Sequence, residues 1–124
     1  MTIENLKGEG VADYDYKHDI LFFKTKNREY KKSIELDNFT LDIDEEGFIT
    51  GIQIFEASKF LDLTKDALLK IPKWEYKASY LDGKVEIRLT FQMKVRNRII
   101  EKNPIIVQSI SEDLPNSELV CTIA

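Results

Sequence analysis

One cysteine and one histidine are all that 124 residues contain of these types, and each shortage narrows what the chain can do. Cys121 has no second cysteine to pair with inside the chain, which favours a reducing compartment and makes the cytoplasm the expected location. His18 is the lone histidine, so paired-histidine catalysis and histidine-rich zinc sites are excluded. The longest purely apolar runs are a few residues, far below the ~20 that span a bilayer, so no membrane partner is expected. The opening Met1-Thr2-Ile3-Glu4-Asn5-Leu6 lacks a basic leader followed by a long apolar stretch, so no signal peptide is expected. Glycine is also sparse. Gly8 and Gly10 lack the preceding strand, third glycine and following helix of a phosphate-cradling loop, and no cofactor is expected.

What is present is an ordinary globular composition with a formal net charge of -4, which keeps the molecule soluble and does not suggest a general polyanion binder. The length suits one domain, 1–124, with residues 1–12 as a loosely ordered, polar lead-in. Charge is segregated: 8 basic and 14 acidic residues lie up to Leu63, against 10 basic and 5 acidic from Thr64 to Lys102.

The hydrophobic pattern predicts an α+β, β-rich chain, mainly an antiparallel sheet of hairpins with one or two short helices between about residues 56 and 71. Ile20-Leu21-Phe22-Phe23 is long enough for a buried strand and too short for a helix, and Lys24 to Glu29 is expected as a turn or loop. Tyr30 to Leu36 and Phe39 to Ile43 alternate, with a break at Asp37-Asn38. Asp44-Glu45-Glu46-Gly47 is expected to turn the chain into Phe48 to Ile54, with Gly47 supplying positive φ and Gly51 marking a bulge or close approach. Ala57, Phe60, Leu61, Ala67, Leu68 and Ile71 recur at helical spacing around Asp62-Leu63-Thr64, with Thr64 as a cap and an end before Pro72. Asp82-Gly83 joins Trp74 to Leu81 with a returning strand in which Val85, Ile87, Leu89, Phe91, Met93 and Val95 face one way. Asn103-Pro104 interrupts, Ile105 to Ile110 supplies a further strand, and Leu119 to Ile123 closes the sheet.

Two stretches, Tyr14-Asp15-Tyr16-Lys17-His18-Asp19-Ile20-Leu21-Phe22 and Leu41 to Ser58, together resemble a small prokaryotic domain of unknown function, number twenty-two eighty-three, over about residues 13–60. The resemblance rests on a Tyr-Asp opening, an Asp before an apolar strand, an Asp-x-x-Gly turn, Gly-Ile-x-Ile, and an Ala-Ser pair. It implies a β-hairpin or meander closed by a helix beginning near Ala57-Ser58. It implies no accepted activity and no catalytic residues, and it suggests protein pairing, as some members look like parts of two-gene modules. Gln53 stands where an acidic residue is commoner in that family. Tyr14, Asp15, Asp19, Asp44, Gly47, Gly51, Ala57 and Ser58 are the motif positions, and turn and cap roles account for each without a ligand.

Asp42, Asp44, Glu46 and Gly47 imitate the start of a calcium loop, but Gln53 occupies the position that needs a bidentate Glu and the flanks are strands, so no metal is expected. Cys121 beside His18 would make a nucleophile pair, but Leu119-Val120-Cys121 reads as a buried, inert run. The preferred reading is a non-enzymatic protein-interaction module or homodimer, its acidic first half complementing the basic later strands of a partner. The alternative is a nucleic-acid-binding module using Arg88, Lys94, Arg96 and Arg98 on a basic strand face, with Lys73, Lys77, Lys84 and Lys102 nearby and Trp74, Tyr76 and Tyr80 available to stack on bases. Against this alternative, the aromatics share one parity and are expected to point away from their lysine neighbours, and solvated lysines usually serve to discourage edge pairing.

Overall fold

The computed structural model describes residues 3–123. In chain order these form β1 (Glu4–Asp15), β2 (Ile20–Thr25), β3 (Tyr30–Glu35), β4 (Phe39–Asp44) and β5 (Ile49–Phe55), then α1 (Ala57–Leu61) and α2 (Lys65–Leu69). The second half supplies β6 (Trp74–Leu81), β7 (Lys84–Val95), β8 (Arg98–Lys102), β9 (Ile105–Ser109) and β10 (Ser117–Ile123). The chain is therefore α+β and β-rich, antiparallel throughout except where β1 runs parallel to β10. No helix among the described residues is long and apolar enough to cross a membrane.

The stretch expected as a loose lead-in is, from Glu4 onward, the strand that joins the two halves of the sheet. Residues 4–9 of β1 pair with β10, and residues 10–15 pair with β2. A strand that changes partners midway must bend, and Gly10 sits at the changeover. A Cβ there would lie 2.4 Å from the Cys121 Sγ and 2.6 Å from the Lys24 carbonyl oxygen. The glycine thus marks a corner of the fold.

Around that corner the strand order is β3-β4-β5-β2-β1-β10-β6-β7-β8, with β9 also on β7. The sheet folds over so that β2 and β5 face β6. Phe23 meets Trp74 edge-on at 5.2 Å between ring centroids, and Trp74 in turn packs on Phe91 at 4.7 Å. Such aromatic pairs add about 0.5–1.5 kcal/mol each beyond the area they bury. The aliphatic core is Leu21, Leu41, Ile52 and Ile54 from one side and Val85, Ile87, Leu89 and Leu119 from the other.

Tyr76 carries a polar group across this interface. Its hydroxyl donates to the Thr50 carbonyl at 3.0 Å and lies 2.5 Å from the Thr25 Oγ1. The acceptor is free because β4 and β5 slip register between Asp42 and Ile43, leaving Thr50 as the extra residue of a bulge. Gly51 adjoins that bulge, and a Cβ on it would meet the Asp42 carboxylate at 2.9 Å and the Phe23 carbonyl at 3.1 Å. Of the bulge or close approach expected at this glycine, the close approach is at Gly51 itself and the bulge is at its neighbour Thr50. Thr25, expected in a loop, ends β2 as a buried residue because Tyr76 requires it there.

The two short helices stand where the apolar spacing put them, and Thr64 caps α2 by accepting a hydrogen bond from the Ala67 N–H at 3.1 Å. Asp82 and Gly83 form the β6–β7 turn with φ of 50° and 83°, the left-handed pair of a type I′ hairpin.

Candidate interaction surface

Apart from Gly51 at the bulge, the motif residues of the family resemblance fall in two clusters. In the first, Asp19 ends the β1–β2 turn in a left-handed conformation, φ 56°. Its carboxylate accepts from the Tyr14 hydroxyl at 2.5 Å, the Ser58 N–H at 3.0 Å and the Ser58 hydroxyl at 2.6 Å. Its carbonyl accepts from the Ala57 N–H at 3.0 Å. One residue thereby ties β1, β2 and the start of α1. Partial burial pushes the Asp19 carboxyl up, but hydrogen bonds from Ser58 and Tyr14 outweigh it and hold the group below the usual carboxylate range. Burial, and then the hydrogen bond to Asp19, push the Tyr14 hydroxyl well above its ordinary value. Asp15 occupies the same turn, accepting from the His18 N–H at 3.1 Å and facing the His18 Nδ1 at 2.8 Å; these two contacts lower its pKa.

The second cluster closes the β4–β5 turn. Asp44 accepts from the Glu46 and Phe48 N–H groups at 2.9 and 3.0 Å, and from the Arg28 Nε at 2.6 Å. Arg28 also reaches Glu46 at 2.6 Å, and its guanidinium lies 5.1 Å above the Phe48 ring. Burial lowers the Arg28 pKa, but the hydrogen bonds to Asp44 and Glu46 overcome that and raise it. Gly47, with φ 90°, presents its bare Cα to Pro115: an added Cβ would fall 2.6 Å from the proline ring. The carboxylates that imitate a calcium loop thus have other partners: Asp44 holds Arg28 and two backbone N–H groups, Glu46 holds Arg28, and Asp42 accepts from the Ser33 hydroxyl at 2.8 Å. Among the described residues no group of three or more His, Cys, Asp or Glu side chains is gathered as metal ligands would be.

The lone thiol and the lone imidazole have different neighbours. Cys121 is buried in β10, and burial pushes its pKa up, while His18 lies in an exposed turn against Asp15. Trp74, Tyr76 and Tyr80 are all buried, so none of them can stack on a base. The four basic residues singled out on β7 and beyond do not share a face. Arg88 and Lys94 lie on the outer face of β7, with Arg88 3.7 Å from Glu86. Arg96 is in a tight turn with Asn97, φ 50° and 64°, and Arg98 pairs with Val95 on the opposite face.

That Arg96-Asn97 turn creates the surface the sequence pattern did not expose. It folds the chain back so that β8 and β9 run along β7 in one unbroken register: Val95 faces Arg98, Phe91 faces Lys102, Arg88 faces Ile105 and Lys84 faces Ser109. Pro104 only interrupts the ladder's donors, and its carbonyl still accepts from the Leu89 N–H at 3.0 Å. Beyond Phe91, where the β6 pairing ends, the hairpin projects as a two-stranded arm. Ile99 on the arm, and Ile105 and Val107 beside the part of β7 that β6 also pairs, are 73%, 47% and 60% exposed on the outer face of the hairpin. A turn of Arg-Asn without glycine gives little local signal, so the sequence pattern does not show these residues as one row.

The chain shares 32% identity over 90 residues with a Methanosarcina mazei protein described as a putative hypoxanthine phosphoribosyltransferase, covering 73% of each. It shares 29% identity over 109 residues with an uncharacterized protein of Methanocaldococcus jannaschii, covering 87% of this chain and 94% of the relative. No solved structure matches the chain. Residues 12–58, from the far half of β1 to the first residues of α1, match the family described as protein of unknown function (DUF2283), and the chain belongs to that family.

Proposed function

We propose that this protein is a non-enzymatic protein-interaction module that presents the β8–β9 edge to a protein partner. The observation that carries the reading is the row of Ile99, Ile105 and Val107, three β-branched side chains exposed along one strand edge. Natural sheets normally blunt an edge with charge, bulges or cover; here Glu101 and Lys102 charge only its middle, and the exposed β-branched residues on either side are best explained by a partner that covers them. The turn-fixing roles of Asp19 and Asp44 support the same reading, because they occupy the family's carboxylates with structure.

Phosphoribosyl transfer, the activity in the M. mazei relative's description, takes second place. It calls for a cradle of backbone N–H groups around phosphates, whereas α1 and α2 have five residues each and the described backbone is otherwise mostly strand ladder. Nucleic-acid binding keeps one supporting observation, the exposed Lys94, Arg96 and Arg98 at the end of the arm.

The test is affinity purification of the tagged protein from its own cells at low salt, before and after nuclease, with hypoxanthine phosphoribosyl transfer assayed on the same material. A stoichiometric protein, or a second copy, that survives nuclease supports the module. Binding that disappears with nuclease and falls steeply with salt moves the assignment to nucleic acid. Turnover of hypoxanthine by the purified chain overturns the non-enzymatic reading.

A further inference from the structure

We infer that the β8–β9 edge pairs with the same edge of a second copy, antiparallel across a two-fold axis at Asn103, joining two sheets into one. This rests on the interaction-module reading and adds the partner and the register.

Which backbone groups are available follows from the ladder. The Leu89 N–H bonds the Pro104 carbonyl and the Ile110 N–H bonds the Gly83 carbonyl, at 3.0 and 2.9 Å. In an antiparallel pair alternate residues turn their groups to the partner, so Pro104, Ile106, Gln108 and Ile110 face β7. Ile105, Val107 and Ser109 therefore turn theirs outward. The two-residue turn makes Val95 and Arg98 a hydrogen-bonded pair, which directs Ile99 and Glu101 outward in the same way. From Ile99 to Ser109 the odd-numbered residues thus form one row of outward N–H and C=O groups, and β7 is the one strand that β8 and β9 pair with among those described. Pro104, at an even position, removes no donor from that row.

A second copy must set odd residues against odd residues, so candidate registers differ in steps of two. Centring the axis on Asn103 places Ile99 opposite Val107 of the second copy, and Val107 opposite its Ile99. On the other face Ile100 meets Ile106 twice, Arg98 meets Gln108, and Lys102 meets Pro104. Four β-branched pairs form, and no like charges stand directly opposite. Shifting one way puts Lys102 directly against Lys102. Shifting the other way puts Glu101 against Val107 and Ile99 against Ser109. The strand is therefore self-complementary in one register, and the two-fold keeps both outer faces on the same side, as an isologous contact requires.

The register is tested by charge exchange and by a cross-link. Ile99→Lys/Val107→Lys places lysine opposite lysine at both ends, and Ile99→Glu/Val107→Glu does the same with glutamate. Each is expected to weaken self-association at least about tenfold, while an equimolar mixture restores it. Both sites are exposed, so an unchanged unfolding curve at high dilution shows that the variants fold. Asn103→Cys brings two Cα atoms about 5.5 Å apart, inside the disulfide window of about 4.4–6.8 Å, and is expected to cross-link under mild oxidation. Glu101→Cys, which faces Ile105 of the second copy, is expected not to. A wild-type chain that sediments at 14.5 kDa at all concentrations overturns the self-pairing. So does a dimer indifferent to both charge variants and to Asn103→Cys. Capture of a different protein, lost in Ile99→Lys/Val107→Lys, overturns the self-pairing but leaves the interaction module standing. A monomer that captures nothing overturns both.

Discussion

Replacing Tyr76 with Phe removes one oxygen from the middle of the molecule and should cost more than its size suggests. The ring stays, so Phe23 keeps its aromatic neighbour and no cavity larger than a hydroxyl opens. What is lost is the donor to the Thr50 carbonyl, the extra residue of the β4–β5 bulge. Tyr76 and Thr50 are both buried, so water cannot easily replace it. An orphaned buried acceptor costs about 1–3 kcal/mol. Thr25 also loses its partner but keeps the Cys121 thiol beside it, so most of the cost falls on Thr50. We expect a loss of about 2 kcal/mol, read as a lower urea midpoint at unchanged slope, and a fall in Tm of roughly 6–10 °C. In the double variant Thr25→Val/Tyr76→Phe both hydroxyls leave together, and the total should fall short of the two single costs by about 1 kcal/mol. A Tyr76→Phe change within about 0.5 kcal/mol of wild type would refute the claim that this hydroxyl holds the two halves of the sheet together.

Asp19→Asn should destabilise the protein by about 2 kcal/mol at neutral pH, since a carboxylate taking three hydrogen bonds becomes an amide that cannot accept them all. The folded Asp19 pKa lies below its unfolded value, so its contribution is full above about pH 4 and is lost as pH falls through the folded pKa. Urea titrations across that range should show the two curves converging in acid, and a constant gap would contradict the assignment. Gly10→Ala puts a methyl against the Lys24 carbonyl and the Cys121 sulfur and should cost about 2–3 kcal/mol, measured in the same way. Arg28→Ala leaves the buried Asp44 carboxylate without its cation and should cost about 3 kcal/mol by thermal unfolding, with Arg28→Lys recovering part of the loss.

Local chemistry was legible where one side chain decides one backbone feature. Asp82-Gly83 announces a type I′ turn, Thr64 announces a cap, and the six alternating apolar residues from Val85 to Val95 announce a strand. Only the first four of those six are buried, because β6 ends opposite Phe91 and leaves Val95 on the arm. That limit depends on the length of another strand and has no local sign. The same holds for β1, whose two glycines look like a flexible lead-in when the corner they turn is invisible. It holds for Thr25 too, which is buried on account of a tyrosine 51 residues away. Arg96-Asn97 is hidden for a simpler reason: asparagine adopts left-handed backbone readily, but arginine gives no hint of it.

The family match stops at Ser58, and the structure gives this limit a physical meaning. The matched segment brings Leu21, Phe23, Ile52 and Ile54 to one face, and most of what covers that face lies beyond it in β6, β7 and β10. The dependence runs in both directions. Tyr76 satisfies a bulge inside the segment, Pro115 seats against Gly47, and Asp19 in turn positions Ser58 at the start of the helices leading to β6. The motif residues thus build a support whose purpose in this chain is to hold the later strands in place. If the motif were itself the site, Asp19 and Asp44 would need free oxygens, and theirs are taken by Tyr14, Ser58, Arg28 and backbone N–H groups. The exposed β-branched residues and the outward backbone groups lie instead on the 84–109 hairpin outside the match, and the proposed pairing uses those strands, β8 and β9, in place of the motif.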